Sequence, residues 1–101
     1  MTHQPDATPA LSRPKPHDDD LAATILKLAG ERGEGRTICP SEAARALGGD
    51  HPDGWGPLMQ PIRRVAVRLM KEGKVVITRK GRPVDPDDFR GVYRLRLPEG
   101  E

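Results

Sequence analysis

Cysteine occurs once in this 101-residue chain and aromatic residues only three times, and both shortages exclude something. A lone Cys39 cannot close an internal disulfide, which suits a reducing compartment. With Trp55, Phe89 and Tyr93 as the whole aromatic supply, a core has to be assembled from Leu, Ile, Val and Ala, and its stability is modest. Long apolar runs are missing too. Nothing approaches the ~20 residues of a membrane span, and the opening "MTHQPDATPA" has no apolar stretch of the kind a secretory signal carries. We expect a soluble, cytoplasmic protein with no membrane contact.

Chemistry-bearing constellations are equally scarce. One cysteine and the scattered His3, His17 and His51 do not have the spacing of a metal site, so no metal and no cofactor is expected. Asp85, Asp87 and Asp88 cluster in "DPDD" without the glycine and distal glutamate of a calcium loop, and predict a turn whose carboxylates bond nearby amides. "GERGEGR" follows a helix pattern rather than a strand and has no Gly-Lys-Ser/Thr, so it reads as a loop after a helix rather than a phosphate loop. Cys39 stands beside Pro40 at a helix start, where a thiol pKa can fall. A nucleophile also needs a base, and a small packed residue is the expected role. No paired-carboxylate or triad pattern points to an enzyme.

What is present is a definite order of elements. Residues 1–17, with four prolines and no apolar periodicity, predict a disordered arm. A folded domain is expected over 18–98, followed by a short acidic tail at 99–101. "DDDLAATILKLAGERG" predicts a helix capped by Asp18 or Asp19, with Leu21, Ile25, Leu28 and Ala29 on one face and a stop at Gly33. "TICP" is a very short extended piece. "PSEAARAL" is a second helix ending at Gly48 and Gly49, and "GGDHPDGWG" a loop in which Trp55 plugs the approach to the next helix. That third helix runs roughly from Leu58 to Glu72, with Pro61 tolerated only in its first turn. "KVVITRK" and "VYRLRLP" predict two strands of a hairpin around the long loop "GRPVDPDDFRG". Helix, short strand, helix, helix, two-stranded wing is the order of an α+β winged helix-turn-helix.

Charge is distributed unevenly along that order. Residues 1–56 hold six basic and nine acidic side chains, whereas residues 57–97 hold eleven basic and four acidic. At ~100° per residue, Leu58, Ile62, Val65 and Leu69 form one narrow stripe of the third helix. Gln60, Arg64, Val67 and Lys71 fall opposite, flanked by Arg63 and Arg68. Arginine and glutamine can each donate two hydrogen bonds to a base edge, and an exposed Val67 can touch a thymine methyl. Lys71 suits a phosphate, and Arg79, Lys80 and Arg82 of the wing suit the backbone or minor groove. We therefore expect a monomeric protein that binds double-stranded DNA, a small transcriptional or nucleoid-associated factor. The competing expectation is a winged-helix module that docks a protein partner.

"TICPSEAARAL", "LM.PIR" around residues 58–63, "GKVVITRKGRPVDP" and "RG.YRLRLP" together resemble a bacterial family of small proteins known only as a domain of unknown function. The resemblance covers about residues 20–97. It implies a winged-helix fold and a bacterial source, and brings no activity and no functional residues.

Overall fold

A computed structural model describes residues 17–99, beginning with α1 (Asp18–Arg32). Of the arm expected over 1–17, only His17 falls within the described residues, and it is the N-cap of α1. The cap was expected at Asp18 or Asp19. Instead all three aspartates lie inside the first turn, where carboxylates face the positive end of the helix. Asp20 accepts a hydrogen bond from the His17 backbone N–H at 3.1 Å. Leu21, Ile25 and Ala29 are buried on one face, as their spacing requires.

The short extended piece amounts to a single pair. Ile38 exchanges both backbone hydrogen bonds with Leu95, at 2.7 and 2.9 Å. Helix α2 (Pro40–Gly48) follows, with proline in the first turn and Cys39 as N-cap. The Glu42 carboxylate reaches back to the Cys39 N–H at 2.9 Å.

Residues 49–58 are more regular than expected. The stretch assigned to a loop contains a one-turn helix, α3 (Pro52–Trp55), followed by a 3-10 turn (Gly56–Leu58). His51 caps α3 by accepting the Asp53 N–H on Nδ1 at 3.1 Å. Pro52 sits where its missing N–H is not needed. Glycine is required here for closeness rather than for flexibility. A Cβ on Gly54 would lie 2.1 Å from the Gly48 carbonyl oxygen, and one on Gly48 would lie 2.4 Å from that of Gly54.

Helix α4 (Met59–Lys71) starts late enough that Pro61 is still in its first turn. Its stripe of Leu58, Ile62, Val65, Ala66 and Leu69 is buried against α1, α2 and the sheet. The sheet differs from a simple hairpin. Strand β1 (Val76–Arg79) lies in the middle, between β2 (Arg82–Pro83) and β3 (Arg94–Arg96), both antiparallel to it. The chain reverses at Lys80–Gly81, both with positive φ (53° and 80°), so the residues after Gly81 return along β1 instead of entering a long loop at once. Val84 N–H bonds the Ile77 carbonyl at 3.0 Å. Pro83 therefore occupies an edge position that owes β1 no hydrogen bond. Ile77 and Leu95 are paired and fully buried. The result is an α+β domain with a winged-helix-like layout, and among the described residues no helix is long and apolar enough to cross a membrane.

Two substitutions test this packing. Gly54→Ala should cost about 2–3 kcal/mol in urea unfolding, because a backbone oxygen stands in the way. Gly30→Ala, whose Cβ would meet Leu97 Cδ1 at an ordinary 3.8 Å inside α1, should instead stabilise by ~0.5–1 kcal/mol. The Tyr93 hydroxyl is buried with no hydrogen-bond partner among the described residues. Burial pushes its pKa up to about 12, against the opposing pull of nearby Arg63. The folded state therefore holds this proton more tightly than the unfolded chain, and stability is lost as pH rises from about 10 towards 12. Tyr93→Phe should remove that alkaline loss and hold or raise stability at pH 7. A clear loss at pH 7 would mean that the hydroxyl has a partner.

Candidate nucleic-acid interface

The face of α4 opposite its apolar stripe carries the cations predicted for it, but most of them are already engaged. Arg64 Nη2 lies 2.8 Å from Asp18 Oδ1, across to the first turn of α1. Lys71 Nζ lies 2.7 Å from Asp87 Oδ1, in the segment between β2 and β3. Arg68 pairs along its own helix with Glu72 at 3.7 Å. All three pairs are open to solvent. Such pairs are worth ~0–1 kcal/mol and exchange readily for another anion. Gln60 is exposed.

Arg63 does not project outward. Its guanidinium stacks over the Phe89 ring, 3.8 Å from the centroid, and Nη2 donates to the Phe89 carbonyl at 2.6 Å. Phe89 in turn meets Tyr93 edge-on with centroids 5.3 Å apart. A cation–π contact and a charge-assisted hydrogen bond on a half-buried group make Arg63 a clamp between α4 and the segment after β2. Val67, expected to be exposed, is partly buried against the core. For Arg63 the reason is that Phe89 folds back as a buried core residue beneath its guanidinium.

In the wing, Arg79 is also committed, donating from Nε to the Val92 carbonyl at 3.1 Å. Lys80 and Arg82 differ. Lys80 lies in the tight turn and Arg82 directly after it, both are exposed, and neither pairs with a carboxylate among the described residues. The acidic "DPDD" segment forms the expected turn, with Asp87 N–H bonded to Asp85 Oδ1 at 2.9 Å. The cation that meets its carboxylates is Lys71, through Asp87.

A second polar cluster went unread in the sequence. The Thr37 carbonyl accepts from Arg32 at 2.9 Å and from Arg94 at 3.3 Å. Arg94 Nε also donates to the Thr37 hydroxyl at 2.6 Å, and Arg32 pairs with Glu42. These bonds close the outer side of the Ile38 segment, which would otherwise be an open sheet edge. The Cys39 sulfur lies 3.1 Å from the Ser41 hydroxyl.

A model of the family described as "Protein of unknown function (DUF3253)" matches residues 18–98. No curated protein matches the chain.

Arg63→Ala should therefore act on stability first. A loss of about 1–3 kcal/mol in denaturant unfolding is expected, larger than for Arg64→Ala or Arg68→Ala, which should each stay within ~1 kcal/mol. Equal effects at all three positions would contradict the clamp.

Proposed function

The chain belongs to the DUF3253 family, and from the geometry above we propose that it is a small DNA-binding protein that holds duplex DNA mainly through its phosphates. The observation that carries this reading is the Lys80–Gly81 turn at the edge of the sheet, where Lys80 and Arg82 are both exposed and neither meets a carboxylate among the described residues. A turn of this kind can lie along a phosphate backbone or enter a minor groove. The exposed strip of α4, consisting of Gln60, Arg64, Arg68 and Lys71, adds contacts once phosphates replace the carboxylates now beside its cations. Arg63, Val67 and Arg79 serve the fold in this reading. With few planar donors left for base edges, sequence selectivity is low, as suits a nucleoid-associated or accessory transcriptional role in the cytoplasm.

A second reading, a docking module for another protein, is favoured by one observation. The strip of α4 is lined with charges of both signs, which suits a polar protein surface as well as it suits DNA.

Fluorescence anisotropy with a generic 20-base-pair duplex across a salt series separates the two. If about five phosphates are engaged, log K falls with log salt at a slope of about −4 to −5. Lys80→Ala with Arg82→Ala should make that slope shallower by about 2. Arg64→Ala with Arg68→Ala should change it less, because those cations are paired beforehand. Absence of duplex binding at low salt would sink the DNA reading and leave protein docking.

A further inference from the structure

We infer that Asp18 and Asp87 are built-in competitors for the cations of α4, so that DNA has to displace two carboxylates before this helix can engage. The inference rests on the DNA-binding reading and specifies how that site is regulated. Each carboxylate comes from a different part of the fold. Asp18 is 46 residues before Arg64, in the first turn of α1, and Asp87 lies in the turn after β2. Neither pair is local to the helix. The fold itself brings them together at 2.8 and 2.7 Å.

The placement matters because of what a groove looks like from inside it. A helix in a major groove ~12 Å wide has phosphate walls along both of its long sides. Here Asp18, with Asp19 and Asp20 in the same turn of α1, holds Arg64 near the middle of the helix, and Asp87, in the acidic turn with Asp85 and Asp88, holds Lys71 at its end. Incoming phosphates would approach the same cations that these aspartates hold. Both pairs are solvent-exposed, with acceptor side chains 45% and 67% accessible, so exchange is unhindered. Arg63, fixed on Phe89, has no such freedom. The arrangement makes engagement of α4 conditional on a prior hold by Lys80 and Arg82, and it weakens helix-first encounters with any polyanion.

The test compares three full-length proteins on the same generic duplex: the unmodified chain, Asp18→Asn with Asp87→Asn, and the charge-matched Glu31→Gln with Glu34→Gln. Glu31 pairs with Lys27 near the far end of α1, ~20 Å along the helix from Asp18. The double asparagine variant should bind about tenfold tighter at low salt, with a salt slope more negative by about 1–2. The control should gain less than about threefold. Asp87→Asn alone, which touches no helix terminus, should gain about threefold and guards against loss of α1 in the double variant. Equal gains in the control and the asparagine variant, or no gain from either asparagine variant, overturn the inference while leaving DNA binding in place. No binding by any of the proteins overturns the DNA reading and the inference with it.

Discussion

Burial of one aliphatic stripe on α4 is the constraint on which the rest of this domain depends. Ile62, Val65, Ala66 and Leu69 lose essentially all their exposure. The larger of them contribute ~1.5–3 kcal/mol each when buried. Helix α1 supplies the opposing Leu21 and Ile25, α2 supplies Ala43 and Ala44, and the sheet supplies Ile77 and Leu95. Small side chains on α2 let it approach closely, and the Gly48–Gly54 contact fixes how the chain turns from α2 towards α4. With so few aromatic residues in the chain, Phe89 and Tyr93 are placed together at one margin of this core, under the Arg63 guanidinium.

Once that stripe is fixed, the charged face of α4 must point away from the core, and its environment is decided by what stands beside it. The acidic start of α1 reaches Arg64, and the segment that carries Asp87 and Phe89 reaches Lys71 and Arg63. The cations therefore divide by role. Arg63 and Arg79 bond backbone carbonyls and hold the wing in place. Arg64, Arg68 and Lys71 are balanced by exposed carboxylates. Lys80 and Arg82 are left to solvent. Among the described residues, the positive surplus of 57–97 is left without a carboxylate partner at the Lys80–Arg82 turn, as it is at the exposed Arg90.

Much of this was legible in the sequence wherever a period or a terminator encoded it. The apolar spacing of α1 and α4, the stop at Gly49 and the placement of Pro61 in a first turn follow from local rules. The α+β layout follows from the order of those elements. Local rules failed where two signals competed. "GGDHPDGWG" reads as a loop, although a capping residue followed by proline, here His51 and Pro52, is also how a helix starts. Arg82 and Pro83 fall in the stretch expected to be a long loop, yet they pair with β1, and an edge position tolerates the proline. The ion pairs were illegible for a different reason. Asp18 meets Arg64 only through the packing of α1 on α4, and no periodicity records a contact between residues so far apart in the chain. The acidity of "DPDD" was visible, but its partner on α4 was not.

The central claim is that duplex DNA is met first by the Lys80–Arg82 turn and only then by the α4 strip. Backbone amide chemical shifts, followed by NMR during titration with a short generic duplex, test this most directly. The account predicts that the earliest and largest changes fall at residues 79–82, with changes at Gln60, Arg64 and Arg68 growing in later, while the surroundings of Trp55 stay still. Changes centred on Trp55 and α2, or none at residues 79–82 at any ratio of DNA to protein, would contradict it.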